Sequence, residues 1–348
     1  MMFSKFRQLI FKIDPEIAHN LSIKFLKFNF LPKMLDENKN DQMFKTNLFG
    51  KQLDNPIGLA AGFDKNAEVY NSMFKIGFGF VEVGTITPLK QYGNPKPRVF
   101  RLEDDQALIN RLGFNNFGAQ HISSIIKSNS PEGLLGINIG PNAKTTNKLN
   151  DYLIGLRTFH DIGDYLTINI SSPNTENLRD FHEQNNLSEL VNAIQEEKIK
   201  LKSKIPIVIK ISPDISINEA EKISEILLKN QIKAIIVSNT TDKNRDNLKN
   251  ISKHQKGGLS GKPLEHQTNK LIKTFYRMLK GKILIIGVGG VDSGKSAYDK
   301  FLAGANYIQL YTGMVYQGPN IVIKIKKELK ELLKNKGIKN FQEIIGSN

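Results

Sequence analysis

The chain has 348 residues and a net charge of +15, from 49 Lys and Arg against 34 Asp and Glu, with 39% hydrophobic content and no cysteine. That length and balance describe a soluble globular protein with a sizeable core, as one large domain or two ordinary ones. The missing cysteine excludes disulfides, thiolate metal sites, iron–sulfur clusters and a thiol nucleophile. Lysine is spread along the whole chain without an RNP, zinc-finger or helix-turn-helix pattern, so nucleic acid is not an expected partner.

Residues 1–33 stand apart. Phe3, Phe6, Ile10 and Ile13 follow helical spacing, and after Asp14-Pro15, a good helix start, Ile17, Leu21, Phe25 and Phe28 share one side. Lys5, Arg7, Lys12, Lys24, Lys27 and Lys33 outnumber Asp14 and Glu16. No apolar run approaches the roughly 18 residues of a membrane span, and no signal-peptide core or cleavage site is present. Two readings stand level: a helical pair packed on the main domain, or a basic amphipathic hairpin lying on anionic lipid.

Eight short β-rich runs follow: 55–62, 78–84, 134–140, 165–171, 205–212, 233–240, 282–290 and 307–313. Their nearly continuous apolar character suits strands buried on both faces. Helix-like segments at 188–202, 217–230, 264–279 and 294–303 separate the later ones. The spacing predicts a (β/α)8 barrel, with a doubly wound sheet as the alternative.

Each run ends in something polar. The stretch "TINISSPNT" (167–175) trades apolar side chains for Asn169, Ser171, Ser172, Asn174 and Thr175. Lys65, Thr85, Asn138, Lys210, Ser238-Asn239-Thr240, Gly289-Gly290 and Tyr311-Thr312 hold corresponding places. In a barrel these ends converge on one mouth, where the active site forms. Glycine turns after the seventh and eighth strands favour a phosphate. Asn110, Asn138, Asn169, Asn174 and Asn239 suit a flat ligand with alternating N–H and C=O groups, such as a pyrimidine or an isoalloxazine. Lys65 and Lys210 add positive charge, and either could instead serve a Schiff-base lyase or isomerase. A third reading, a lipid-surface binding protein, explains residues 1–33 but not the eight polar strand ends.

"AAGFDKN", "VEVGTITP", "NRLGFNN", "GINIG", "NISSPNT", "VSNTT", "GGLSGKPL" and "IIGVGGVDSG" occur in this order along the chain. In that order and spacing they resemble the dihydroorotate dehydrogenase family, its quinone-dependent, membrane-associated class 2. The likeness runs the length of the chain and includes "DPEIAH" near the start. It implies an FMN enzyme that oxidises dihydroorotate to orotate in pyrimidine synthesis and passes electrons to a membrane quinone.

By motif, FMN would be held by Ala61, Gly62, Phe63, Asp64, Lys65, Thr85, Asn138, Asn169, Lys210, Ser238, Gly261, Gly290, Tyr311 and Thr312. Substrate would be held by Lys65, Asn110, Arg111, Leu112, Gly113, Phe114, Asn169, Asn174, Asn239 and Thr240. Ser172 would be the catalytic base, where the soluble class 1 enzymes place cysteine, with a water-mediated proton exit past Thr175 and Phe114. No metal is expected. His182, ten residues beyond Ser172, reads as part of a surface loop. The resemblance divides the chain into residues 1–40, a membrane and quinone-access segment, and residues 41–348, the FMN-binding barrel. It also implies a peripheral protein on the cytoplasmic side of the inner membrane, acting as a monomer.

Overall fold

The computed structural model describes residues 7–27 and 41–347. Two short strands, β1 (Thr46–Leu48) and β2 (Lys51–Leu53), form an antiparallel hairpin. Then come β3 (Ile57–Leu59), β4 (Phe80–Ile86), β5 (Val99–Leu102), β6 (Ala107–Asn110), β7 (Leu134–Ile139) and β8 (Tyr165–Asn169). The series ends with β9 (Ile207–Ile211), β10 (Ala234–Val237), β11 (Gly258–Gly261), β12 (Leu284–Val288) and β13 (Tyr307–Leu310).

Eight of these, in the order β3-β4-β7-β8-β9-β10-β12-β13, close into a barrel of parallel pairs. Seven fall within one of the eight apolar runs, and β4 overlaps its run and extends two residues beyond it. Helices Gln184–Lys200, Ile217–Lys229, Glu265–Leu279 and Gly294–Leu302 fill the crossovers expected for them. Ser216 and Ser293 start two of these helices through reciprocal capping boxes with Glu219 and Ser296.

The barrel floor is a layer of strand-start side chains, Phe80, Leu134, Tyr165, Val208, Ala234, Ile286 and Tyr307, closed by Leu48 and Leu53 of the hairpin. Glycines make room for the aromatics in it. A Cβ on Gly58 would lie 2.4 Å from the Phe80 ring, and one on Gly136 would lie 2.0 Å from Tyr165. A filled floor directs ligands to the opposite end, where β5, β6 and β11 form a separate antiparallel sheet.

The helix Pro15–Lys27 has two apolar faces, one packed on the barrel and one exposed. Ala18, Ile23 and Leu26 are buried, and Ile23 and Leu26 join the main core. Ile17, Leu21 and Phe25, four residues apart, are 51%, 51% and 60% exposed. Glu16 anchors the helix: its carboxylate takes both Nε (3.0 Å) and Nη2 (2.6 Å) of Arg98, which is itself almost fully buried. Phe3, Phe6 and Phe28, also expected on the apolar stripes, lie outside the described residues. Among the described residues no helix is long and apolar enough to cross a membrane.

Candidate active site

One large cavity opens at the C-terminal ends of the barrel strands, with an empty volume of about 1330 Å³ that includes open solvent.

Its walls bring together most of the residues that the sequence places at strand ends. Ala61, Gly62 and Lys65 follow β3, Thr85 ends β4, and Asn169 ends β8 with Ser172 and Asn174 beyond it. Lys210 lies on β9, Ser238, Asn239 and Thr240 follow β10, Gly289 and Gly290 follow β12, and Tyr311 and Thr312 follow β13. The small sheet and the segment after β6 add Asn110, Leu112, Gly113, Phe114 and Gly261.

Four residues assigned to FMN or substrate do not line the cavity, and neither does Thr175 of the expected proton exit. Arg111 turns outward: its guanidinium lies over the Phe100 ring and donates to Gln255, Lys256 and Pro97. Phe63 packs behind the wall, edge-on to Tyr311 at 5.8 Å. Asp64 is buried and accepts the backbone N–H groups of Glu68 and Val69, so it shapes the loop that carries Lys65. Asn138 sits one layer down. Residues that the sequence reading missed include Gln106, Ser260, Leu264, Val291 and Tyr316. They come from the small sheet and the segments beside it, from the turn after β12, and from the helix Thr312–Gln317 that follows β13.

The amides form a connected set. Asn169 Nδ2 donates to Thr85 Oγ1 at 2.9 Å, and Asn239 Nδ2 donates to Asn169 Oδ1 at 3.2 Å and to Ser171 Oγ at 2.9 Å. Asn174 Nδ2 reaches the Asn110 carbonyl at 3.1 Å, closing the cavity from the side of the small sheet. Burial pushes the Lys65 ammonium down to about 8, against the opposing pull of Glu16 and Asp64. Lys210 is lowered for the same reason, with Glu82 opposing.

Ser172 is almost fully buried, and its Oγ accepts the Asn174 N–H at 3.2 Å, which fixes the direction of the hydroxyl. No histidine assists it. His182 is buried rather than on a surface loop. Its Nε2 accepts the Ser212 N–H, so the ring proton sits on Nδ1 facing the Arg179 carbonyl. Desolvation holds that imidazole neutral, down at about 4.

Arg179 clasps the loop that bears Ser172. It donates to the Ser171 and Thr240 carbonyls and pairs with Asp242 at 2.8 Å and Asp214 at 3.2 Å. Arg179→Met should leave the barrel folded and lower turnover about 10–100-fold, because small displacements of a catalytic group are costly. Steady-state kinetics beside a melting curve will check this: unchanged turnover would show that the loop holds its place unaided.

The comparisons agree with this geometry. The family model described as dihydroorotate dehydrogenase matches residues 43–333. A dihydroorotate dehydrogenase (quinone) of Bartonella tribocorum is 44% identical over 97% of this chain and 94% of its own length. The mitochondrial dihydroorotate dehydrogenase (quinone) of Mus musculus is 39% identical over 96% and 87%. A crystal structure of DHODH from Eimeria tenella in complex with ferulenol superposes with a TM-score of 0.92 at 38% identity, covering 96% of this chain and 95% of its own. With the motifs at the strand ends and a match along nearly its whole length, the chain belongs to the dihydroorotate dehydrogenase family.

Proposed function

We propose that this protein oxidises (S)-dihydroorotate to orotate, with FMN as its bound redox group and a membrane quinone as the electron acceptor, a step of pyrimidine synthesis. The observation that carries the reading is that one cavity at the strand ends is lined both by glycine turns with Thr85, Lys210 and Thr312 and by Ser172, Lys65 and the asparagines.

The donor set fits FMN. Gly289 and Gly290 adopt φ of +108° and +78°, backbone that glycine enters freely and that brings N–H groups close to a phosphate. Lys210 supplies positive charge at the base of the cavity, where a reduced ring would carry negative charge. FMN, when bound, would accept the hydride from substrate C6 and later release electrons to the quinone.

The chain's own residues do the rest. Lys65 pairs with the substrate carboxylate. Asn110, Asn169, Asn174 and Asn239 hold the edge of the pyrimidine ring and stabilise charge on its carbonyl as C5 loses a proton. Ser172 Oγ takes that proton, and its own leaves through water past Thr175 and Phe114. Purified protein should be yellow, and anaerobic dihydroorotate should bleach it; a colourless protein, or one that keeps its colour, would sink the reading.

Lys65 gives the reaction a pH limit. Its folded value is depressed to about 8, so the ammonium that binds a carboxylate is present below that pH and is lost as pH rises through it. KM for dihydroorotate should therefore be level near neutrality and climb above about pH 8, roughly tenfold per unit. A KM that stays flat to about pH 9.5 would remove Lys65 from carboxylate binding.

The quinone reading rests on the N-terminal helix and what lies under it. His19 stacks edge-on to Phe63 at 5.1 Å, and Phe63 meets Tyr311 of the cavity wall. Desolvation pushes His19 down to about 3, so this contact is neutral and apolar in character. A second depression, lined by Phe11, Ile13, Pro15 and Phe100 together with the charged Lys12, Asp14, Arg101 and Glu103, shares Val99 with the main cavity. A greasy acceptor could approach between helix and barrel, with Ile17, Leu21 and Phe25 resting on lipid, Lys24 and Lys27 near anionic headgroups, and the cytoplasmic side of the inner membrane as the surface.

A further inference from the structure

We propose that Glu82 is a positioning residue that fixes the donor and acceptor sense of the amides beneath the mouth. Glu82 projects from the middle of β4 into the barrel and is fully buried. Its Oε1 accepts Asn138 Nδ2 at 2.8 Å. Its Oε2 accepts Tyr165 Oη at 2.9 Å, Thr167 Oγ1 at 3.1 Å and Gln309 Nε2 at 3.1 Å. Four donors on two oxygens is the arrangement of an acceptor-only carboxylate.

That acceptor sets the direction of everything above it. With its NH2 committed to Glu82, Asn138 turns Oδ1 upward, where it receives Thr85 Oγ1 at 2.6 Å and Asn169 Nδ2 at 3.3 Å. Asn169 then turns its own Oδ1 toward Asn239 Nδ2. Along this series Asn138, Asn169 and Asn239 each point NH2 back toward Glu82. An amide has nearly the same shape either way round, so shape alone does not choose. A charged end that can only accept does choose, and each bond in such a series polarises the next.

The inference rests on the functional reading above, and its test separates the two. Glu82→Gln is isosteric, and Gln309 Oε1, buried without a partner, offers the new NH2 an acceptor. The variant should therefore fold and keep FMN. Its Gln side chain satisfies either sense of Asn138, so the relay loses its anchor. In holoprotein labelled with 15N-asparagine, the Asn138 and Asn169 side-chain NH2 signals should go from single and slowly exchanging in the parent to doubled or broadened in Glu82→Gln.

Calorimetric affinity for orotate should fall about tenfold, the size of one misdirected hydrogen bond. The swap of Glu82→Gln with Asn138→Asp restores an acceptor-only group one step higher and should recover the single Asn169 signal and the affinity for orotate. Unchanged NH2 signals in Glu82→Gln would overturn the inference. So would a loss that the swap does not recover, because Glu82 would then act through packing alone. If the parent itself fails to bind orotate, the functional reading falls, and the NH2 signals still decide the relay.

Discussion

Replacing Ser172 by alanine is expected to leave a yellow protein that dihydroorotate bleaches about 10²–10⁴-fold more slowly than the parent, the usual range for losing a general base. The cofactor side of the cavity does not involve this hydroxyl, so FMN content and spectrum should be unchanged. The structure strengthens the assignment by elimination. His182 is turned to Ser212 and the Arg179 carbonyl, and the chain has no cysteine. Among the other groups lining the cavity, Lys65 is charged below about pH 8 and the asparagines have no basicity. Ser172→Cys should recover part of the rate, since a thiol also accepts and releases a proton. Stopped-flow bleaching of all three proteins under anaerobic conditions is the measurement. An alanine variant that bleaches at the parental rate would move the base elsewhere.

How much of this was legible in the sequence depended on whether a residue's neighbours in the chain are also its neighbours in space. The barrel strands are runs of Ile, Val and Leu buried on both faces, so each run identifies its own element. Lys65, Asn169, Lys210 and Asn239 were readable because they sit where such a run turns polar. The small sheet was not: β5, β6 and β11 are four residues each, and β11 comes from a segment 148 or more residues beyond β6 in their pairing. Arg111 shows the other failure. It follows Asn110 directly, yet past the end of β6 successive side chains point opposite ways, and the arginine leaves the cavity for Phe100.

Asn138 was found for its place at a strand end, but its depth could not be read. Its partner Glu82 lies inside "VEVG", where one carboxylate in an apolar run gives no sign of pointing inward. The N-terminal helix was ambiguous because it carries two apolar faces, one packed and one exposed. Ala18, Ile23 and Leu26 pack on the barrel while Ile17, Leu21 and Phe25 face out, and a single periodic stripe cannot report two faces.

That double face changes what removal of residues 1–40 should do. The division at residue 40 suggested that the barrel would be whole without them. In the structure, truncation strips Glu16 from the buried Arg98, a loss of roughly 3 kcal/mol for an abandoned partner, and exposes the core surface covered by Ile23 and Leu26. It also removes a carboxylate that supports the charge of Lys65. A truncated protein would thus lose stability and substrate affinity along with any membrane contact, and its failure with quinone would not identify a membrane segment.

The decisive variant keeps the helix and changes only its outer face: Ile17, Leu21 and Phe25 together to serine. All three are at least half exposed, so folding, FMN content and turnover with a small soluble acceptor should be those of the parent. Vesicles containing anionic lipid should float the parent and leave the variant behind. Each replacement removes about 1.5–3 kcal/mol of apolar side-chain transfer when that residue is fully buried in the bilayer interface. Turnover with a long-tailed quinone presented in those vesicles should fall at least tenfold. If the variant floats and uses the long-tailed quinone as well as the parent does, the exposed stripe is an ordinary surface, and the helix serves only to hold Arg98 and Lys65 in place.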